Sequence, residues 1–276
     1  MPTSAKRNIL MAPIDRYWEL WEDCLGLIGS WGNLLFEVGA WITRALVLRR
    51  IRFRAHEHAV QIVRVGTKSM GIVMLVSGCI GVILALQTAP SLEQFGQTDK
   101  VANLVAVSVF RELGPLIAAI VLAGFAGASI AAELGTMKVG EEIEALEAMA
   151  INPIRFLVVP RVVATAISLV ILAVLADLCS VFFGGVIGVT VLDIPYEVYR
   201  ANTLEQLEPS DFYTGLIKAC VFGALLGLIA CTNGLRVTGG AAGVGRATTN
   251  TVVQTTVAIV IADLLFSVLF YGIGWT

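Results

Sequence analysis

The sequence predicts an all-α polytopic membrane protein with five transmembrane helices. The first observation is composition: of 276 residues, 57% are hydrophobic and 14% are charged, with a mean hydropathy of +0.83, whereas soluble domains carry about 25% charged residues. The second is that five apolar stretches reach the length of about 20 residues that a bilayer core requires. The third is the placement of basic residues, which gives all five stretches one consistent orientation.

The five predicted spans are residues 69–86, 101–132, 158–191, 212–235 and 252–271. The second and third are longer than one crossing needs, so we expect them to tilt, protrude or break. Gly114-Pro115 favours a kink in the second span. Residues 61–276 are therefore predicted to form a single membrane domain.

Residues 1–60 are predicted to be an interfacial and connecting region. The stretch 25–48 is apolar, but it contains Asn33, Glu37 and Arg44, and four of the five tryptophans occur by residue 41. Because tryptophan favours the headgroup level, an amphipathic helix lying in the interface is preferred there. A sixth span is the alternative.

The basic residues orient the spans. Ten of them precede the first span, which places the N-terminus in the cytoplasm, and five spans then place the C-terminus on the opposite side. The predicted inner loops hold Lys138, Arg155, Arg161, Arg236 and Arg246. The predicted outer loops are assigned Lys100, Arg200 and Lys218.

A polar segment, residues 133–161, separates the second and third spans and is predicted to lie in the cytoplasm. A short helix is expected over about 138–152, because acidic residues crowd its N-terminal, positive end and Asn152-Pro153 would stop it. Its apolar residues recur at helical spacing beside an acidic face. The apolar face consists of Ile143, Leu146 and Met149. The acidic face consists of Glu141, Glu142, Glu144 and Glu147.

A helix of about 12 residues is not stable alone in water, so it is expected to dock on another surface. Anionic headgroups would repel its glutamates, which favours a protein partner. A solvated loop helix without a partner is the alternative. The candidate coupling residues are Glu141, Glu142, Glu144, Leu146, Glu147 and Met149.

Four ionisable residues are assigned to the spans: Arg111, Glu112, Asp177 and Asp263. Such groups cost several kcal/mol in a bilayer unless they are paired or wetted. Each is a candidate for a substrate path or gate, and an inter-helix ion pair or hydrogen bond is the alternative. Side chains adjacent in sequence point about 100° apart on a helix, so Arg111 and Glu112 are predicted not to pair with each other but to face other partners or a wet cavity.

The outer end of the first span carries Leu86 and Gln87, which are candidate mouth residues of an otherwise apolar cavity. Small residues spaced four apart allow helix backbones to approach closely. Such ladders could serve packing within one chain or form a dimer seam. Two of them occur in and just after the second span, namely Gly124, Ala128 and Ala132, and Gly127, Ala131 and Gly135.

No motif for enzymatic chemistry is found. The sequence lacks the Gly-x-x-x-x-Gly-Lys-Ser/Thr loop that cradles nucleotide phosphates, so we predict neither a bound cofactor nor an ATPase activity of this chain. The five cysteines form no Cys-x-x-Cys pair. His56 and His58 flank Glu57 and are interpreted as a solvated cluster, with a metal pair as the alternative, and no metal site is predicted.

The motifs between residues 50 and 276 resemble, in type and order, those of the MlaE-type permeases of ABC transporters that work with MCE proteins. One departure is Glu144, where aspartate is expected, and the charge is the same. The motifs are Arg111-Glu-Leu-Gly-Pro115, Ala123-Gly-Phe-Ala-Gly-Ala-Ser129, Glu133-Leu-Gly-Thr-Met137, Glu141-Glu-Ile-Glu-Ala-Leu146, Asn152-Pro153, Pro160-Arg161 and Gly243-Val-Gly-Arg-Ala-Thr-Thr249.

The resemblance implies a homodimeric permease in a bacterial inner membrane, with its C-terminus periplasmic. It further implies a cytoplasmic ATPase dimer that grips the acidic helix and uses ATP, and an outer MCE-domain protein that exchanges phospholipid or a related lipid. The competing class is an ion- or proton-coupled carrier or channel that uses the intramembrane charges. A membrane scaffold without transport is the third class.

Overall fold

The computed structural model describes residues 55–274, together with Gly29, Gly32, Leu34 and residues 36–40; for residues 55–60 and Arg64 the backbone alone is described. The chain divides into two compact units, Met1–Arg52 and Phe53–Thr276. In the first unit the described residues are helical. Most of the predicted interfacial helix at 25–48 and the side chains of His56 and His58 lie outside the described part, so those predictions remain predictions.

The second unit is a bundle of helices, and no strand occurs between residues 55 and 274. We number its helices α1 to α7 in chain order. Five of them, namely α1, α2, α4, α6 and α7, contain a segment long and apolar enough to cross a membrane, which confirms the predicted fold class. The helices are α1 Ala55–Glu93, α2 Thr98–Val139, α3 Glu142–Ala148, α4 Ile154–Thr190, α5 Tyr196–Gln206, α6 Pro209–Leu235 and α7 Gly240–Ile273.

The spanning helices are longer than the predicted spans. Helix α2 has 42 residues, which corresponds to about 63 Å at 1.5 Å per residue, twice the bilayer core of about 30 Å. Hydropathy marks only the part of a helix that sits in lipid, whereas backbone hydrogen bonding continues the helix beyond it. The helices therefore project from the apolar region and carry polar residues at their ends.

Helix α2 is interrupted twice by π-helical turns, at Val109–Leu113 and Ala123–Gly127, and α4 begins with a third, at Ile154–Val158. The first π turn directly precedes Gly114-Pro115. Pro115 has no backbone N–H to continue the regular hydrogen-bond ladder, so the turn before it widens while the helix continues. The predicted kink stays a prediction, and the structure shows a π turn at this place, an irregularity that is frequent at functional sites.

The main core lies where α2, α4, α6 and α7 meet, around Leu122, Leu169, Phe222 and Ile259. Helices α4 and α6 approach closely because α6 presents glycine at the crossing. A Cβ atom at Gly223 would lie 2.7 Å from the Cα of Ala166, and one at Gly227 would lie 2.9 Å from the Cα of Val162. Glycine is required at both positions.

The two ends of the bundle differ. One end, which we call the α3 end, carries α3 and the connection between α6 and α7. The opposite end, the α5 end, carries α5 and the connection between α1 and α2. There Tyr199 and Ile194 close a second core against Ala85, Ala89 and Val105, which fixes α5 against the transmembrane helices.

Candidate functional site

A buried lysine organises the polar centre of the bundle. Lys218, on α6, is 1% exposed. Its Nζ lies 2.5 Å from Glu112 Oε2 on α2 and 3.0 Å from Asp263 Oδ1 on α7, and it donates to Ser267 Oγ at 3.3 Å. The assignment of Lys218 to an outer loop is wrong: the residue lies within the fourth spanning helix and points inward. We call Glu112, Lys218, Asp263 and Ser267 the lysine cluster.

Two carboxylates face one ammonium group in the lysine cluster. Ser267 Oγ lies 2.8 Å from Glu112 Oε1, to which it donates. Taking charges out of water costs several kcal/mol per ion unless good partners replace the solvent. The cluster supplies such partners for Lys218, and it joins three helices at one point.

Arg111, beside Glu112, turns to a different partner, as its position on the helix predicts. Its Nε pairs with Asp211, which is fully buried in the first turn of α6. Asp211 Oδ2 also accepts the backbone N–H of Glu208 at 3.1 Å as part of a capping box. The π turn Val109–Leu113 is therefore tied to α6 through two successive charged residues.

A cavity of about 240 Å³ opens beside these pairs. Its wall combines Arg111, Glu112, Lys218 and Ser267 with the ring of Tyr271. The side chains of Arg111 and Glu112 are 29% and 39% exposed, respectively, so both signs of charge reach the cavity. Such a wall could hold a small polar or zwitterionic group within an otherwise apolar bundle.

The structure does not bring all the predicted path residues together. Asp177 is 3% exposed on α4, and its Oδ1 has no hydrogen-bond partner among the described residues. It packs on Gly114, where a Cβ atom would lie 1.7 Å from that oxygen. Leu86 and Gln87 are exposed on α1 and do not line the charged cavity.

At the α3 end, the predicted acidic helix is present but shorter than the predicted 138–152. Lys138 and Val139 still belong to α2, and α3 covers Glu142–Ala148. It ends in a Schellman motif: the N–H groups of Ala150 and Ile151 donate to the carbonyls of Glu147 and Leu146. Ala150 is left-handed, with φ 58°, and so ends the helix before Asn152-Pro153 is reached.

The side chains of α3 separate into two faces. Ile143 is 5% exposed and packs inward, Leu146 is half-buried, and Met149 is 62% exposed. The three residues therefore do not form one docked stripe. We use the term outward face of α3 for the exposed residues Glu141, Glu142, Glu147 and Met149 in and beside this helix.

Two ion pairs hold the segments that flank α3. Lys138 pairs with Glu144, and this hydrogen bond lowers the pKa of the Glu144 carboxyl. Arg161, which is 6% exposed on α4, reaches Glu133 on α2 at 3.1 Å and donates to the Leu157 carbonyl at 2.8 Å. The helices before and after α3 are therefore linked to each other.

The two small-residue ladders of α2 lie in different surroundings. Gly127, Ala131 and Gly135 are buried; a Cβ at Gly127 would touch Thr251 of α7 at 3.5 Å, and one at Gly135 would touch Val237 at 2.9 Å. The other ladder is more open. Gly124 is exposed with nothing within 4 Å of an added Cβ, and Ala128 and Ala132 are partly exposed.

Sequence reasoning missed the partners Lys218, Asp211 and Ser267. A usable signal existed for the first: Lys218 is the one basic residue within the predicted span 212–235, and an isolated charge in a span marks a functional candidate. Asp211 and Ser267 carried no comparable signal, because aspartate is ordinary at a helix start and serine is ordinary in a membrane helix.

The fold and the site define a polytopic membrane protein with a charged cavity inside the bundle and an acidic helix exposed at one end. The family model "Permease MlaE" matches residues 59–269. A probable ABC transporter permease protein of Rickettsia prowazekii is 39% identical over 77% of this chain and 82% of its own length. A probable ABC transporter permease protein of Synechocystis is 36% identical over 77% of this chain and 81% of its own length. The chain belongs to the MlaE permease family.

A plant protein is also similar. The chloroplastic protein TRIGALACTOSYLDIACYLGLYCEROL 1 of Arabidopsis thaliana is 34% identical over 83% of this chain and 66% of its own length. Membership of an ABC transporter permease family makes this chain the membrane subunit of a transporter, which requires an ATPase partner.

Proposed function

We propose that this protein is the permease subunit of an ABC transporter that moves phospholipid or a related lipid between the inner membrane and an MCE-domain partner. The observation that carries the proposal is the charged cavity beside the lysine cluster. A lipid headgroup is polar and its chains are apolar, and the cavity offers Arg111, Glu112 and Lys218 within an apolar bundle. The name of the Arabidopsis relative, which contains a diacylglycerol lipid, supports a lipid substrate.

The proposed orientation puts the α3 end in the cytoplasm and the α5 end on the periplasmic side. The basic residues of the first 68 positions support this direction. The charged cavity then opens toward the side on which an MCE-domain protein would act. The N-terminus is cytoplasmic and the C-terminus periplasmic in this proposal.

We further propose that the outward face of α3 binds the ATPase, which uses the ATP, while this chain itself holds no cofactor and is not an enzyme. The exposed Met149 and the glutamates Glu141, Glu142 and Glu147 offer an apolar anchor within an acidic rim. The link between Glu133 and Arg161 would transmit movement of α3 to α2 and α4 together.

A second copy of this chain is the proposed neighbour of α7. In the most apolar 18-residue segment of α7, only 11% of the residues are buried, whereas 67% are buried in the corresponding segment of α6. The same helix leaves Thr249 and Asn250 exposed, and polar side chains at helix contacts in membranes usually find partners on another helix. A homodimer would cover this face.

The carrier or channel alternative has less support. A relay through Arg111, Glu112, Asp177 and Asp263 needs neighbouring groups, and Asp177 packs on Gly114 with no hydrogen-bond partner for its Oδ1 among the residues that the structure describes. The α3 face would also have no role in a carrier driven by a gradient.

Transfer of fluorescent phospholipid between reconstituted vesicles and the MCE-domain partner, with ATPase present, tests the proposal. Glu112→Leu is expected to reduce ATP-dependent transfer at least tenfold while the ATPase still co-purifies. Lys100→Gln, which removes an exposed charge at the α5 end, is the matched control and should transfer normally. Wild-type transfer by Glu112→Leu would exclude the charged cavity from the lipid path, and ion flux without ATP would favour the carrier.

Glu141→Lys/Glu142→Lys tests the coupling face. The double variant is expected to lose the ATPase on purification and to keep its helical circular dichroism spectrum, because both side chains are exposed. The matched control is Glu93→Lys/Glu205→Lys, which reverses two exposed glutamates at the α5 end. Retention of the ATPase at wild-type stoichiometry would contradict the assignment.

A further inference from the structure

An apolar groove runs between the last turns of α4 and helix α5, on the outside of the bundle. Its volume is about 470 Å³, within the range of about 300–1,000 Å³ that is common for ligand sites. Helix α4 contributes Phe182, Val186 and Val189, and α5 contributes Tyr196 and Leu204. The groove is separate from the charged cavity, with which it shares no lining residue.

The floor of the groove depends on two glycines of α4. The Tyr199 ring lies over them: a Cβ at Gly185 would approach the ring to 3.2 Å, and one at Gly188 would approach it to 2.5 Å. Because these glycines let the ring lie against α4, helix α5 leaves a channel between the two helices instead of packing flat. The tyrosine hydroxyl is neutral at physiological pH, and burial of the ring raises its pKa further, to about 12, so the floor is uncharged.

The rim of the groove carries one cation. Arg200 lines the groove, is exposed, and forms no ion pair within the described part of the chain. Only five residues, 191–195, separate α5 from the end of the spanning helix α4. Because α5 follows the apolar helix α4 so closely, we expect Arg200 to lie near the boundary between the bilayer core and water, the level at which lipid phosphates are found.

We propose that this groove binds one phospholipid, with an acyl chain along Phe182, Val186 and Leu204 and the phosphate held by Arg200. The planar guanidinium group binds a phosphate in a bidentate manner. A phospholipid of the bilayer carries both this anion and the apolar chains that the groove would hold. A transmembrane helix of a partner is the other conceivable occupant, but its width of about 10 Å is large for this groove, and an apolar helix surface would leave the charge of Arg200 without a counter-ion. The site requires only that the chain spans a bilayer, and it does not rest on lipid transport.

The test is native mass spectrometry of the purified full chain after equilibration with palmitoyl-oleoyl phosphatidylglycerol in detergent. Arg200→Gln is expected to weaken retention of one lipid about tenfold, because a charge-assisted phosphate contact is lost. Arg200→Lys keeps the positive charge but lacks the planar guanidinium group, so its lipid retention should lie between those of the wild type and Arg200→Gln. Lys100→Gln removes an exposed cation at the same end and should retain lipid as the wild type does.

A second variant tests the chain-binding part of the groove. Val186 is 42% exposed, so Val186→Trp adds volume in the groove with little effect on the core, which an unchanged melting temperature would verify. It should remove the same single lipid, and lipid transfer through the charged cavity should continue. Equal retention by Arg200→Gln and Lys100→Gln would overturn the proposal. So would a Val186→Trp variant that keeps the lipid but loses a co-purifying membrane subunit.

Discussion

Replacing Lys218 by methionine is the most direct test of the lysine cluster. The lysine side chain is 2% exposed, whereas its partners Glu112 and Asp263 are 39% and 15% exposed. The variant would leave two carboxylates facing each other in the bundle. Breaking a buried ion pair by removing one partner costs about 3–5 kcal/mol, and the partial exposure of Glu112 puts the expected loss of unfolding free energy near the lower limit.

This loss can be measured by thermal unfolding of the purified protein in detergent, followed by circular dichroism. A loss of about 3 kcal/mol corresponds to a decrease in melting temperature of about 6–12 °C for a chain of this size. The triple variant Lys218→Met/Glu112→Leu/Asp263→Leu should recover most of it, because an apolar replacement of a whole buried network is often neutral. Lys100→Met, at an exposed site, should change stability by less than about 0.5 kcal/mol.

A Lys218→Met variant that melts within about two degrees of the wild type, roughly the effect of an ordinary surface substitution, would contradict a stabilising role for the lysine charge. A triple variant as unstable as the single one would contradict it equally. A stable Lys218→Met variant would mean that the apolar stem of the side chain, rather than its charge, holds the three helices together.

Two further predictions concern packing and ionisation. Gly223→Ala should destabilise the fold by about 1–3 kcal/mol, because the new Cβ would lie 2.7 Å from the α4 backbone. Gly124→Ala is the control, because no described atom lies within 4 Å of its new Cβ. It should be neutral or slightly stabilising in the same melting assay. The Tyr199 hydroxyl has a pKa raised from 10.0 to about 12 by burial, so its contribution to stability is complete below pH 10.0 and is lost as the pH rises toward 12. Tyrosinate absorbance should show one late-titrating group in the wild type that is missing in Tyr199→Phe.

The spanning helices could be predicted because hydropathy is summed over many residues, so no single side chain decides the result. Their bounds could not, since a helix continues by backbone hydrogen bonding into water, as α2 does. The acidic helix was recognisable from its glutamates. Its end was not: a left-handed Ala150 stops α3, and alanine carries no sequence signal for that conformation.

Within the charged site, the separation of Arg111 from Glu112 followed from helix geometry alone and is confirmed by their different partners. The identity of those partners could not be derived, because it depends on how far α6 is rotated and shifted against α2. The same rotation decides why Gly127 is buried while Gly124 remains open. Sequence spacing gives the faces of a helix, but it does not say which face meets which neighbour.

The short helix α3 is joined to the bundle by two residues of unusual backbone conformation, Glu141 with φ 57° and Ala150 with φ 58°. Both carry a Cβ atom, and for such residues the left-handed region is a narrow well. We therefore expect the two joints to be stiff, so that a torque on α3 would turn the ends of α2 and α4 instead of being absorbed by the loops. Glycine at these positions would relieve local strain and would also make the connections of α3 to α2 and α4 more flexible.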